Sequence, residues 1–224
     1  MWCIGTINGE YLANMEDILD LYAQPAQAQT VRLCYDERPC QLIDHVLTPI
    51  PAKPGMSQKE HQEYLRNGVC NVLLAYNMDT GQRHIRVTDT KTKADYAHFM
   101  NWVGNELYPN QQIKLVQDNY SSHSYGAFYE NLPFDAARNL KNQIEFHFTP
   151  KHGSWLNMAE MEFSALSRQC LNRRIASKEI LESEVLIWQE KRNSNATKVN
   201  WSFTTAKARE KLKNRYDEIN KFTA

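Results

Sequence analysis

The 224-residue sequence predicts an α/β fold in which helices flank a mixed five-stranded sheet. Three observations carry that expectation. One alternating strand is followed by two more strands joined by turn chemistry, the pattern of antiparallel neighbours. Two further strands each lie beyond a helical segment, which implies parallel pairing through right-handed crossovers. The composition, 42% hydrophobic and 23% charged, suits an ordinary globular core.

Residues 14–23 place Met15, Ile18, Leu19 and Tyr22 at helical spacing, and the stretch 24–30, with Pro25 inside it, reads as a linker. Residues 31–35 alternate Val31, Leu33 and Tyr35 against Arg32 and Cys34, and this first strand ends at Asp36-Glu37. A loop carrying Pro49, Pro51, Pro54 and Gly55 follows, too polar and interrupted for the core. Residues 69–78 and 83–88 are the next strands, with Asp79-Thr80-Gly81 as the hairpin turn. Asp89, ending the third strand, reads as serving the start of the next helix. Thr92 and Asp95 form the capping pair that opens it, over 93–107, with Tyr96, Phe99, Met100, Val103 and Leu107 as its buried stripe and Pro109 as its stop. Residues 113–117 form the fourth strand and terminate in Asp118. A helical region over 125–139 leads to the fifth strand, 144–148, and a long helix begins near Trp155 after the loop 149–154. No internal repeat or low-complexity stretch interrupts this order.

Several classes are excluded. No apolar run approaches the ~20 residues of a membrane span, and residues 1–5 lack the basic and apolar regions of a secretory leader, so an intracellular, cytoplasmic protein is expected. Five cysteines (Cys3, Cys34, Cys40, Cys70, Cys170) without a CxxC pair predict reduced thiols rather than zinc or disulfides. Net charge is zero, but residues 191–215 hold Lys191, Arg192, Lys198, Lys207, Arg209, Lys211, Lys213 and Arg215 against Glu210 alone. Such a run can neutralise phosphates or can be a solvated helix face.

The chemistry-bearing pattern is acidic. Asp36 follows the first strand and Asp118 the fourth, and if those strands are neighbours both carboxylates reach the same sheet edge, where sites form. Phosphodiester cleavage by two divalent ions needs about three carboxylates converging from different elements. The third must come from a helix over that edge. The helix beyond Trp155 carries Leu156, Ala159, Phe163, Leu166 and Cys170 as its apolar stripe, with Glu160 about 80° from the stripe centre on one side and Glu162 as far on the other. Periodicity leaves Glu160 and Glu162 equivalent. Glu37 points the opposite way from Asp36 along a strand and is not read as a ligand.

The local sequences go further. Cys34-Tyr35-Asp36-Glu37, Val116-Gln117-Asp118-Asn119-Tyr120-Ser121-Ser122-His123 and His152-Gly153-Ser154-Trp155-Leu156-Asn157-Met158-Ala159-Glu160 resemble the bacterial insertion-sequence transposases related to the mariner elements, within the DDE transposase and retroviral-integrase superfamily. Residues 63–68, 167–175 and Trp201-Ser202-Phe203 resemble that family too, so the likeness covers nearly the whole chain. The resemblance implies a ribonuclease H-like fold, with Asp36, Asp118 and Glu160 as the catalytic and metal-binding triad. It thereby selects Glu160 over Glu162 as the acid closing the Leu-Asn-x-x-Glu pattern. It implies Mg²⁺ or Mn²⁺, two ions, as cofactor. The reaction it implies is cleavage of DNA at transposon ends followed by strand transfer into target DNA. It divides the chain into an N-terminal helix and linker (1–30), a catalytic domain (31–190) and a basic helical tail (191–224).

Two departures accompany it. The block after Asp118 reads Asn119-Tyr120-Ser121-Ser122-His123 where the family more often has Asn-Leu-Asn-Thr-His. Forty-one residues separate Asp118 from Glu160, which implies an insertion around 125–142. Residues 1–30 resemble the linker that follows the family's helix-turn-helix end-recognition region, so a separate recognition protein or an upstream domain is an expected partner. DNA and a second copy of the chain are the others, in a nucleoid-associated setting. Asn119 and His123 are candidates for positioning substrate. Lys151 and His152 are candidates for a phosphate contact at a helix N-terminus, and Arg173 and Arg174 for backbone contacts. Two alternatives stand beside the enzyme: a non-catalytic or split-transposase partner that binds DNA or oligomerises, and a ribonuclease acting on RNA–DNA hybrids.

Overall fold

The chain folds around one sheet with strand order β3-β2-β1-β4-β5, built from β1 (Thr30–His45), β2 (Tyr64–Asn77), β3 (Arg83–Thr88), β4 (Gln112–Gln117) and β5 (Ile144–Phe148). This computed structural model describes residues 7–220, so the segment 1–5 read for leader features, with Cys3, lies outside the described residues. β1 pairs antiparallel with β2 and β2 with β3, while β1–β4 and β4–β5 are parallel. The mixed five-stranded sheet expected from the sequence is the one observed.

Successive side chains on a strand face opposite sides of a sheet, and the core divides accordingly. Val31, Leu33, Tyr35, Leu73, Ala75, Ile113 and Leu115 pack under α2 (Lys93–Trp102), α3 (Tyr125–Asn131) and α4 (Phe134–Gln143). Cys34, Val72, Leu74, Tyr76 and Val116 face the other way, into a cluster shared with α1 (Gly9–Ala23), α5 (Met158–Gln169), α6 (Lys178–Ser194) and Ala208 of α7 (Thr205–Lys211). A last helix, α8 (Lys213–Ile219), follows.

The differences from the sequence reading have physical causes. β1 runs ten residues beyond Tyr35, because backbone pairing with β2 continues to His45↔Tyr64 past a bulge between Gln41 and Ile43. Apart from Leu42, and Cys40 packed beside it, those residues leave the core, so no hydrophobic alternation marks them, and Tyr64 to Val69 of β2 are exposed. Pairing of β1 with β4 stops at Cys34↔Val116. Asp36 therefore lies within a strand, just past the point where the parallel pair separates. The helix over 93–107 starts with the expected Thr92–Asp95 capping box but turns into a π-helix over Val103–Leu107. There Gln143 Nε2 donates to the carbonyls of Gly104 and Tyr108, an intrusion of the kind that disturbs a helical ladder. The 125–139 region is two helices, separated at Pro133, which cannot continue an α-helix. Asp89 does not serve the α2 start; its carboxylate pairs with Lys178 at the start of α6, 2.7 Å away.

The β2–β3 turn follows the sequence reading, with Gly81 at φ 77° where a Cβ would meet Lys198 and Thr197 within 3.0 Å. Among the described residues Cys34, Cys70 and Cys170 are buried free thiols and Cys40 a half-buried one. No described helix is long and apolar enough to cross a membrane. The basic run 191–215 is largely committed to internal contacts: Arg192 bonds Glu162, Lys198 reaches the Asp79 carbonyl, Lys207 the Ser202 carbonyl, Arg209 pairs with Glu16 and Arg215 with Glu218.

One buried ion pair joins β3, α5 and the segment after α6. Arg83, fully buried, donates to Glu162 from Nε (2.6 Å) and an Nη (2.8 Å) and to the Thr197 carbonyl (2.7 Å), while Arg192 reaches the same carboxylate at 3.2 Å. Removing one partner strands a charge out of water, which costs about 3–5 kcal/mol. Glu162→Ala is therefore expected to lower unfolding stability by that amount in a denaturant titration, whereas Glu162→Gln, which keeps an acceptor, is expected to lose less.

Candidate active site

Three candidate carboxylates arrive from β1, from the end of β4 and from the first turn of α5. Asp36 shares the sheet face of Cys34, under α5, while Tyr35 and Glu37 face α2 and α3. Its Oδ1 accepts a bond from the Glu37 N–H at 2.8 Å. Asn157 then couples β1 to α5. Its Nδ2 donates to the Tyr35 carbonyl (2.8 Å), and its Oδ1 accepts from the Ala159 N–H (3.1 Å), capping the helix. Buried at 1% exposure, Asn157 fixes the helix start against the residue before Asp36. The Tyr22 hydroxyl, from α1, donates to the Leu156 carbonyl at 2.7 Å and holds the same turn from below.

The result is like charge in a poorly solvated place. Burial first, and then the charge of Glu160 with smaller contributions from Glu37 and Asp118, push the Asp36 carboxyl up to about 8, against the opposing bond from the Glu37 N–H. The tie between the two helix glutamates is resolved by partners. Glu162 is 1% exposed and consumed by Arg83 and Arg192, while Glu160 is exposed and acts electrostatically on Asp36.

Asp118 is oriented by a buried histidine. His123, 2% exposed, meets Asp118 Oδ1 with Nδ1 at 2.6 Å and Glu37 Oε2 with Nε2 at 3.1 Å. Burial by itself would lower the imidazole, but its bonds to Asp118 and Glu37 and their charges outweigh that and push it up to about 9. Asp118 in turn, despite the burial that opposes ionisation, is held below its ordinary value by His123 and by the Tyr120 N–H at 3.2 Å. An imidazolium clamped between two carboxylates thus keeps Asp118 ionised and aimed. Glu37, set aside in the sequence as facing away from Asp36, does face away, and it does so onto His123.

Asp118, Asn119, Lys151 and His152 line a groove of about 830 Å³, and Asp36 and Glu160 line a second of about 420 Å³ with Ser164, Ser167 and Arg168. Arg173 and Arg174 are not brought to either. Arg173 pairs with Glu184 in a separate groove, and Arg174 fastens the β1–β2 arm through the carbonyls of His61 (2.7 Å) and Glu63 (3.0 Å). Among the described residues no three acidic, histidine or cysteine side chains are gathered closely enough to form a ready ligand set, and Asp118 is turned onto His123. The donor chemistry nonetheless fits a divalent cation. The candidate donors are hard carboxylate oxygens suited to Mg²⁺ or Mn²⁺, and the mutual repulsion felt by Asp36 is what a cation relieves. Sequence reasoning missed Asn157 and Glu37; the one signal available was Asn157 preceding the helix, where an N-cap belongs.

Both pKa shifts make the cation-free protein less stable in alkali. His123 holds its proton more tightly folded than unfolded, so its contribution is complete below about 6.5 and is lost as pH rises through about 9. Asp36 stays protonated in the folded chain up to about 8, whereas an unfolded aspartate ionises near ~3.9, so stability falls as pH climbs between those values. Asp36→Asn removes that liability. Without divalent ions at pH 9, the variant is expected to melt several degrees above the parent, on the scale of ~2–4 °C per kcal/mol for a chain this size. A lower melting temperature than the parent would contradict the like-charge account.

The sheet flanked by helices recurs in known proteins. The sequence matches the DDE superfamily endonuclease family over residues 31–182. No curated protein matches it significantly. Among solved structures the fold is similar to the Mos1 mariner paired end complex with Mn, at TM-score 0.57 and 13% identity, covering 99% of this chain and 66% of that one. It is similar also to the Mos1 transposase paired-end complex with left transposon end (0.58, 13%, covering 100% and 66%) and to the Mos1 strand transfer complex (0.55, 13%, covering 100% and 67%). The chain thus spans 66% of the length of the first two of those transposase chains, and at this identity the likeness is one of fold: the ribonuclease H-like sheet flanked by helices. With most of its strands and all three candidate carboxylates inside the matched region, the chain belongs to the DDE superfamily endonuclease family.

Proposed function

We propose that this chain is the catalytic part of a transposase of the insertion-sequence type related to mariner elements, cleaving DNA at transposon ends and joining them to target DNA. Asp36, Asp118 and Glu160 are its catalytic carboxylates, and residues 31–190 carry the catalytic unit. The observation that carries this reading is the family match over residues 31–182, a stretch that holds all three acids; burial, and after it the charge of Glu160, raises the Asp36 carboxyl, a condition that a bound cation relieves. Bound by these three groups, a pair of Mg²⁺ or Mn²⁺ ions supplies activation of the attacking hydroxyl or water and stabilisation of the leaving 3′ oxygen.

The chain's own residues do the rest. Asn157 keeps Glu160 at a fixed distance from β1, so the spacing between two of the carboxylates does not drift. His123 holds Asp118 as the anion, and Glu37 holds His123 as the cation. Lys151, His152 and Asn119, exposed along the larger groove, offer donors to a phosphate beside the acids. A second copy of the chain and an upstream or separate helix-turn-helix region are the partners this reading requires for pairing and recognising two ends.

The test is nicking of supercoiled plasmid with Mg²⁺ or Mn²⁺. Glu160→Gln is expected to reduce the rate at least about a hundredfold, the scale of losing a few kcal/mol of transition-state stabilisation, and undiminished nicking by that variant would refute the assignment. Equal cleavage of RNA–DNA hybrids would favour the ribonuclease alternative, and no nicking by the parent would favour the non-catalytic partner. Glu37→Gln is a subtler probe. It keeps the shape but weakens the hold on His123, and changes to the groups that support a metal ligand cost about 10–100-fold in metal affinity. The Mn²⁺ concentration that raises the melting temperature halfway is therefore expected to increase by that factor, with the metal-free fold intact.

A further inference from the structure

The geometry points to a DNA-backbone track along the exposed side of α5, leading from the carboxylates into a cationic groove between α5 and α6. The inference rests on the proposed DNA-cleaving function and adds where the strand lies.

Three observations converge. First, the small groove holding Asp36 and Glu160 continues along α5 past Ser164 and Ser167 to Arg168. Arg168 is also a wall of a second groove, of about 660 Å³, which Arg173, Lys191 and Arg192 line as well. One side chain therefore belongs to both, and the acids open toward the cations. Second, the cations outnumber their partners. Among the described residues Arg168 and Lys191 form no ion pair, and both are exposed. Arg173 shares the one acid lining the groove, Glu184. Arg192 is held by Glu162 and Gln169, yet its Nε has no acceptor. Third, Arg168 sits in the last turn of α5, where the helix carbonyl ends would otherwise repel a phosphate, and its charge offsets them. The uncommitted charge of this face is thus gathered where the groove from the acids ends, whereas most of the basic run 191–215 is engaged inside the protein.

The spacing suits a nucleic-acid strand. Glu160 and Arg168 are eight residues apart on one helix, about 12 Å at 1.5 Å per residue. Duplex DNA advances ~3.4 Å per nucleotide of a strand. Phosphates wind around the axis and so lie farther apart than this rise, and a strand cut beside Glu160 brings a phosphate only a few nucleotides away to Arg168, and the next ones to Lys191 and Arg192. Arg174 has no part in this, being fixed to the β1–β2 arm.

The experiment measures binding of a short labelled duplex by anisotropy across a salt series, in EDTA so that nothing is cut. The double variant Arg168→Glu/Lys191→Glu is compared with the parent and with Lys213→Glu, a reversal outside the groove. Neither altered side chain has an internal partner, so the melting temperature should stay at the parent value, and the comparison is read only for preparations where it does. Each phosphate that is no longer neutralised flattens the slope of log affinity against log salt by ~0.9. The double variant is expected to flatten it by about 2 and to bind at least about tenfold more weakly at low salt, with Lys213→Glu near the parent. An unchanged slope, or equal loss in Lys213→Glu, overturns the track. If the double variant instead fails to fold, Arg168→Gln/Lys191→Gln replaces it, with the same expected slope change. Loss of nicking in Glu160→Gln together with an unchanged slope here would retain the enzyme and discard only the track. A parent that neither binds nor nicks DNA would discard the function itself.

Discussion

Negative charge collected at the place where β1 and β4 part company shapes everything around it. A carboxylate there is destabilising in proportion to its burial and to its neighbours' charge, and Asp36 is exposed to both effects. A fold tolerates such repulsion only if stiffer interactions hold the groups in place. Here they do: β1 is paired along its length with β2, Asn157 bolts α5 to the Tyr35 carbonyl, and Arg83 anchors the opposite side of α5 through Glu162. The cost of ionising Asp36 is thereby built in rather than relaxed, and positive charge is the natural means of offsetting it.

The two helix glutamates illustrate how a site and its support are separated. They lie two residues apart and flank the same apolar stripe. One is surrounded by guanidinium groups in the interior and is neutralised, while the other faces the split in the sheet with no cationic partner. Around Asp118 the logic is similar but the means differ, since a buried imidazolium compensates the aspartate and a second glutamate compensates the imidazolium. Such a chain of alternating charges is stable only when every member is satisfied, which is why Glu37 matters although it touches no candidate ligand other than through its backbone N–H.

The arrangement of cations obeys the same rule. Arginines that close the fold, Arg83, Arg174 and Arg209, are tied to carboxylates or carbonyls and are unavailable to a ligand. Arg168 and Lys191, which form no ion pair among the described residues, lie together on one face, downstream of the acids along α5. Sequence composition, with a net charge of zero, conceals this division between structural and uncommitted charge.

Much of the fold was legible in the sequence because short-range patterns report burial: Val31 to Tyr35, Ile113 to Gln117 and the stripe on α5 each alternate as their faces require. Local chemistry likewise announced the Thr92–Asp95 cap and the Gly81 turn. What escaped were features set by distant partners. The long arm of β1 is held by pairing rather than by hydrophobicity, the π-turn at Val103 is made by Gln143 from another helix, and the Asp89 carboxylate was claimed by Lys178. The sequence by itself determined the order of strands and helices and marked the acidic residues near the strand ends, since these depend on neighbours within a few positions. Only the tertiary structure decided which glutamate is neutralised, which histidine is charged and which arginines are free, because a side chain's charge state and freedom are set by groups that the fold, not the chain, brings within reach.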